Sequence, residues 1–279
     1  MIKNKFLFVA MLFAALSLGF ASCDDKKGTE PDEPTQGEQT EQTDQNGSSE
    51  NNGNKEEEKN EPETPAIDYN GHAYVDLGLP SGLKWATCNV GSSKPEEYGN
   101  YYAWGEVEPK EVYDWSTYKF MDSSVNDWNG VNKYTVADSR NEYGDVVWYD
   151  NSGNFIGDNK TVLEKEDDAA FVNMGGSWRM PTKAEQDELR TECSWTWTTL
   201  NGVNGYNVEG PNGNSIFLPA AGCRSDGDLG SAGSGGFYWS SSLYAYLSGS
   251  AYCLDLDSDD VSWDGYDRYY GQSVRGVIE

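Results

Sequence analysis

Hydrophobic and polar positions divide the chain into three stretches. An unbroken apolar run, FLFVAMLFAALSLGFA, occupies residues 6 to 21 and follows two lysines, Lys3 and Lys5. Residues 24 to 66 contain no Trp, Tyr, Phe, Leu, Ile or Val, whereas residues 67 to 279 hold all ten Trp and all eighteen Tyr. Because folding needs buried apolar area to offset the entropy lost on ordering, only the third stretch is predicted to form a globular domain.

Residues 1 to 22 are typical of an export signal, because the apolar run is shorter than the roughly 20 residues that a membrane span needs. Ala21 and Ser22 directly before Cys23 resemble the cleavage box of bacterial lipoproteins, although Phe20 stands where leucine is usual. This resemblance implies that Cys23 is acylated and that the lipid is the membrane anchor. An ordinary secretory signal that happens to end near Cys23 is the alternative.

Residues 23 to 66 are predicted to be a disordered, extended tether. Residues 24 to 66 hold fourteen Asp or Glu and four Lys, and these like charges repel one another. Asp24 and Asp25 resemble the signal that directs some Gram-negative lipoproteins to the outer surface, which implies an outer-membrane or cell-surface location. The net charge of −27 at pH 7 argues against nucleic acid or an anionic lipid surface as a partner.

The third stretch opens with two β-prone runs, residues 74–79 and 83–90, around the turn residues Pro80, Ser81 and Gly82, which predicts a hairpin. Residues 101–157 show no clear period and are expected to form short strands and long loops.

Two helices are predicted after this region. The first covers 161–173, with the acidic residues 166–168 on its solvated face. The second follows Thr182, whose hydroxyl can form a capping box with Glu185, and it extends to about Glu192.

From there on the pattern predicts strands only: TWTTL, GYNVEG, NSIFLPA, FYWSSS, AYCLDLD and QSVRGVI. Two helices followed by several short antiparallel strands predict a single α+β domain over residues 67–279. Trp239 and Val274 are expected in its core. Alternation along AYCLDLD points Leu254 and Leu256 inward and Cys253, Asp255 and Asp257 outward.

Four segments in this order, GLPSGLKWATCNVG, GGSWRMPTKAEQDEL, FYWSSS and YYGQSVRGV, resemble the Fibrobacter succinogenes major paralogous domain family (FISUMP). This family is common on lipoproteins of gut bacteria, and its fold is similar to that of C-type lectin-like domains. The resemblance implies a loop-rich ligand-binding surface near the C-terminus. Proteins of this fold are also targets of diversity-generating retroelements, which randomise adenines in codons for C-terminal surface residues.

Residues 221 to 271 contain no Lys, Glu, Gln, Met, His or Thr and are rich in Tyr, Ser, Gly and Asp, as are antibody contact loops. Four of the five residue types that randomised AAY codons cannot encode are among those missing. A Ser- and Gly-rich strand edge that was never diversified is the alternative. We therefore predict recognition of a protein or glycan ligand by this segment. The expected contact residues are Tyr244, Tyr246, Tyr252, Asp255, Asp257, Asp264, Tyr266 and Tyr269.

Most catalytic and metal motifs are absent from the sequence. His72 is the one histidine, so zinc-protease and histidine-dependent nucleophile motifs lack their parts. The acidic run around Asp257 fails the EF-hand pattern, because Asp260 and Tyr266 stand where glycine and glutamate are required. No cofactor, metal or catalytic residue is predicted.

Two other functions stay open. One is a carbohydrate-active enzyme that uses an Asp/Glu pair, and the other is a structural subunit that self-associates. The pairing of Cys88, Cys193, Cys223 and Cys253 also stays open, since four cysteines allow three connectivities.

Overall fold

The computed structural model describes residues 67–122, 130–137, 148–150 and 152–279. The predicted signal peptide, Cys23 and the predicted tether lie outside these residues, as does part of segment 101–157. The helices are α1 (Ala169–Met174) and α2 (Lys183–Glu192). The strands are β1 (Ile67–Tyr69), β2 (His72–Asp76), β3 (Lys84–Asn89), β4 (Ser194–Leu200), β5 (Val203–Glu209), β6 (Ser215–Pro219), β7 (Cys223–Ser225), β8 (Asp228–Gly230), β9 (Gly235–Leu243), β10 (Ser250–Asp257), β11 (Val261–Asp267) and β12 (Arg275–Ile278).

These strands form four small antiparallel sheets in the described part of the chain. Their orders are β1-β2-β3-β12, β11-β10-β9, β4-β5-β6 and β7-β8. Two helices and antiparallel strands make this an α+β architecture, as the sequence predicts. Neither α1 nor α2 has the length and apolar content that a membrane-spanning helix requires.

The predicted N-terminal hairpin is confirmed. Strands β2 and β3 pair antiparallel, with Val75 opposite Trp85, and the turn between them closes where the Gly82 amide donates to the Leu79 carbonyl at 2.9 Å. Gly82 has a φ of 73°, a conformation that glycine adopts without steric cost. Strand β12 then pairs with β3, so the last strand of the chain lies beside the first hairpin.

The first predicted helix is too long. It begins at Ala169, because Asp168 is extended and its carboxylate accepts the Phe171 amide at 2.9 Å as an N-cap. The residues before it are held by strand β9, where the Leu163 amide donates to the Ser241 carbonyl at 2.9 Å. Tertiary pairing therefore overrides the helical spacing of residues 161–164.

Of the three acidic residues predicted on a solvated face, Glu166 is exposed, but Asp167 and Asp168 are buried. Asp167 binds Lys119 Nζ at 2.7 Å and the Tyr134 hydroxyl at 2.6 Å, and it also contacts Lys133. A buried carboxylate has to be paired with a charge or a hydrogen-bond donor. These contacts therefore hold Lys119, Lys133 and Tyr134 against the start of α1.

The second helix is confirmed with its predicted cap. Thr182 Oγ1 accepts the Glu185 amide at 3.3 Å, and the Glu185 carboxylate accepts the Thr182 amide at 2.7 Å. Arg179 holds that same carboxylate at 2.7 Å, which together with the amide hydrogen bond lowers the pKa of Glu185 against the effect of burial.

The predicted strands after α2 are also present, and the structure adds β7, β8 and β11, which the sequence pattern did not reveal. The core contains four almost fully buried tryptophans, Trp85, Trp104, Trp178 and Trp239. Val274 is fully buried as well, so both predicted core residues, Trp239 and Val274, are confirmed. Large rigid rings thus fill the space between the small sheets and support the C-terminal hairpin.

Candidate interaction surface

The predicted contact residues lie on and around the hairpin formed by β10 and β11. In its register Tyr252 is opposite Gly265, Leu254 is opposite Trp263, and Cys253 is opposite Asp264. Because successive side chains of a strand point to opposite faces, Tyr252 and Cys253 lie on different sides of the hairpin. The predicted residues therefore do not form one patch.

On the first side, four partly exposed residues form what we call the Tyr252 cluster: Lys183, Tyr244, Tyr252 and Trp263. The Tyr252 ring meets Tyr244 edge-on at 4.9 Å between centroids and Trp263 edge-on at 5.5 Å. The Lys183 ammonium lies 3.4 Å from the centre of the Trp263 ring, a cation–π contact. Two predicted contact residues are thus brought together with two that sequence reasoning missed.

Helix α2 and strand β11 hold this cluster in place. The Lys183 amide donates to Ser242 Oγ at 3.1 Å, and the Trp263 indole donates to Asp187 Oδ1 at 3.1 Å. Hydrogen bonds from Arg190 and then from Trp263 lower the pKa of Asp187, so it is a carboxylate at neutral pH. The cluster is therefore preorganised by fixed elements, which reduces the entropy that a bound ligand would cost.

Tyr244 lies flat on the backbone of β11. A Cβ atom added to Gly265 would lie 3.0 Å from the Tyr244 ring, so this close approach favours glycine at position 265. Burial raises the pKa of the Tyr244 hydroxyl, and the neighbouring Tyr252 and Asp264 raise it further. The phenol is thus neutral at physiological pH and can donate a hydrogen bond to a ligand.

Tyr246 is the most accessible of the predicted tyrosines. It lies in the loop between β9 and β10, two residues from Tyr244, and 65% of it is exposed to solvent. Because most of the ring is in solvent, Tyr246 buries little apolar area in the fold. Its apolar surface is therefore available to a ligand.

On the second side of the hairpin, Tyr266 is only 8% exposed, so its predicted role as a contact residue is wrong. Its hydroxyl donates to Asp255 Oδ2 at 2.5 Å, and its ring meets Phe237 edge-on at 5.4 Å. Burial raises the pKa of Asp255, while the hydrogen bond from Tyr266 opposes the shift. Asp255 keeps partial exposure beside this buried pair.

The outward orientation predicted for Cys253 is likewise wrong, because Cys253 is fully buried. Leu254 and Leu256 point inward as predicted, but β10 is the central strand of its sheet and is covered on both faces. Alternation therefore separates the two sides of this strand without leaving one of them in solvent.

Tyr269 lies on the second side in a separate aromatic group, the Tyr269 cluster, made of Trp115, Tyr269 and Tyr270. Its ring is 4.9 Å from Trp115 and 4.5 Å from Tyr270. All three residues are half-buried. Burial and the hydrogen bond with Tyr270 raise the pKa of Tyr269. Trp115 begins a short 3-10 helix that is distant in sequence, which is why the sequence did not associate it with Tyr269.

Asp257 and Asp264 are exposed, and their carboxylates bind backbone amides. Asp257 Oδ1 accepts the amides of Asp259 and Asp260 at 2.8 and 3.0 Å, which closes the turn between β10 and β11. Asp264 Oδ1 accepts the Gly265 amide at 2.7 Å. Within the described ranges, no three His, Cys, Asp or Glu side chains come together as metal ligands.

Neither the histidine nor the free thiols belong to these clusters. The His72 ring packs edge-on against Trp178 at 6.2 Å. Cys88, Cys193 and Cys253 are free thiols, so the four cysteines of the domain form no disulfide with one another. Burial raises the pKa of Cys193 to about 11, which leaves it protonated and unreactive at neutral pH.

The chain matches no protein-family model, no curated protein and no solved structure. A functional assignment therefore rests on the geometry of the chain's own residues.

Proposed function

We propose that this chain is a lipid-anchored surface protein that binds a protein or glycan ligand without chemical turnover. The observation that carries the proposal is the partly exposed Tyr252 cluster next to the exposed ring of Tyr246. Tyr246 and Tyr252 are the two residues we expect to contribute most to binding.

The chemistry of the cluster suits such a ligand. Tyrosine and tryptophan offer rigid apolar faces together with a hydrogen-bonding edge, and they lose little entropy on binding. Lys183 and Asp187 add one charge of each sign beside the rings. A sugar ring has an apolar face and a hydroxyl rim, and many protein loops have the same mixture, so both match this surface.

The finer assignment, a C-type lectin-like fold of the FISUMP family, belongs to the same proposal. Its support is the four sequence segments that resemble the family, together with the α+β architecture. The anchor at Cys23 and the outer-surface location rest on the apolar run and the residues around the proposed cleavage site. A reverse transcriptase and a near-copy of the last part of the gene, differing only at adenines, would support diversification by a retroelement.

The proposal can be tested with an array of immobilised glycans and a panel of surface proteins, both probed with the labelled full chain. Tyr246→Ala and Tyr252→Ala should each weaken binding by about tenfold or more, as central aromatic contacts do. Tyr149→Ala is the matched control, because Tyr149 is an exposed aromatic outside the cluster. Equal binding by all three variants would contradict the proposed surface. Breakdown of a bound glycan would favour the carbohydrate-active enzyme instead.

A further inference from the structure

Strand β4 is a long, uncharged strand at the edge of its sheet. It covers Ser194–Leu200 with the sequence SWTWTTL and pairs with β5 alone in the order β4-β5-β6. Natural proteins usually protect exposed edges with charged residues, proline or short length, because unpaired backbone groups attract other strands. Two other edges follow that rule, since β1 has three residues and β11 carries Asp264 and Asp267.

The register of the β4–β5 hairpin identifies the unpaired backbone groups. Leu200 pairs with Val203 across a two-residue turn of Asn201 and Gly202, which have φ values of 49° and 86°. This is the Asn-Gly turn typical of two-residue hairpins, in which the closing pair is hydrogen-bonded on both sides.

Hydrogen-bonded and free positions then alternate back along β4. The amides and carbonyls of Trp195, Trp197 and Thr199 point to the free edge, while those of the residues between them bond β5. Within the described ranges, the backbone of β4 is hydrogen-bonded only to β5, which lies on the side away from this edge.

We propose that β4 pairs antiparallel with β4 of a second copy of this chain, around a two-fold axis at Trp197. In this register Trp197 faces Trp197 of the second copy, and Trp195 faces Thr199 of the second copy. Each residue whose amide and carbonyl point to the free edge then lies opposite another such residue. All six free backbone groups of each strand are therefore hydrogen-bonded. Two three-stranded sheets become one six-stranded sheet.

The side chains fit this register. Thr196 and Thr198 are exposed on the outer face of the sheet. The pairing places Thr196 of each copy opposite Thr198 of the other. Threonine pairs across antiparallel strands are favourable. Trp195 and Trp197 are half-buried on the other face, so the contact covers apolar area that the single chain leaves exposed.

Charge within β4 does not oppose pairing with a second copy. Strand β4 carries no charged residue, so it offers no electrostatic preference for an acidic or basic strand, and self-pairing opposes no two like charges within it. The net charge of −27 nevertheless makes the two copies repel each other at longer range. Added salt screens that repulsion, so the dimer is expected to tighten as the salt concentration rises.

The first test compares Thr199→Pro with Thr199→Ala in the full chain, purified in detergent and studied by sedimentation equilibrium. Both variants lose the Thr199–Asn204 side-chain bond, but only proline removes the outward amide, and it leaves the β4–β5 ladder intact. Thr199→Pro should raise the dimer dissociation constant by about tenfold or more, because two hydrogen bonds are lost per dimer, whereas Thr199→Ala should change it little.

The second test fixes the register without relying on the proline variant. In a Thr196→Cys, Thr198→Cys double variant each new thiol faces one of the second copy at a distance that a disulfide can span, so mild oxidation should give a covalent dimer. Either single variant lacks an opposing thiol and should form no more covalent dimer than the wild-type chain. A wild-type chain that stays monomeric, equal dimerisation of both Thr199 variants, or binding of another protein's strand at β4 to a monomer would each overturn the proposal.

Discussion

Replacing Arg268 by methionine should strongly destabilise the fold. Arg268 follows β11, is fully buried, and donates from all three of its nitrogens. Nε reaches the Tyr118 hydroxyl at 3.0 Å, Nη1 reaches the Ser248 and Tyr134 carbonyls at 2.7 and 3.3 Å, and Nη2 reaches the Lys133 carbonyl at 2.8 Å. Methionine keeps much of the side-chain volume but leaves four buried oxygens without these donors.

The expected loss follows from these contacts. Hydrogen bonds to charged groups contribute about 1.5 to 3 kcal/mol each when deleted singly, but they are not additive within one network. Removing the buried charge also recovers part of its desolvation cost. We therefore expect the free energy of unfolding to fall by about 3 to 5 kcal/mol, a large part of the roughly 5 to 15 kcal/mol of a typical domain.

Urea unfolding followed by tryptophan fluorescence measures this loss, and an unchanged denaturant slope would show that stability alone has changed. Arg190→Met is the control, because Arg190 is partly exposed and binds Asp187 at the surface of α2. Such surface pairs contribute about 0 to 1 kcal/mol. A loss below about 1 kcal/mol in Arg268→Met would refute the view that Arg268 joins the backbone at Lys133 and Tyr134 and the Tyr118 hydroxyl to the C-terminal hairpin.

Two further variants test other contacts. Thr182→Ala removes the side-chain cap of α2 and should lower the free energy of unfolding by about 1 kcal/mol, and an unchanged urea midpoint would contradict the capping role. Asp255→Asn tests the partly buried carboxyl, whose pKa is raised in the folded protein. Wild-type Asp255 therefore contributes its full stability only below its unfolded pKa of about 3.9. This contribution is lost as the pH rises through the folded pKa. The stability of Asp255→Asn relative to wild type should therefore increase with pH, and a constant difference would exclude the assignment.

Local signals in the sequence determined the elements whose hydrogen bonds lie within or next to them. The turn at Gly82, the capping box of Thr182 and Glu185, and the inward Leu254 and Leu256 all follow from short-range patterns, and the structure confirms each of them. The α+β order follows for the same reason, since every strand that the sequence predicted after α2 is present.

Tertiary structure alone decided which C-terminal residues are accessible. The sequence contained no information that β10 is a central strand covered on both faces, so Cys253 and Tyr266 were expected at the surface and are buried. The partners of Tyr252 were equally hidden, because Lys183 lies some 70 residues earlier and reaches Trp263 only after α2 packs beside β11. Periodicity tells which side of a strand a residue faces, but the layers that cover that side are set by long-range packing.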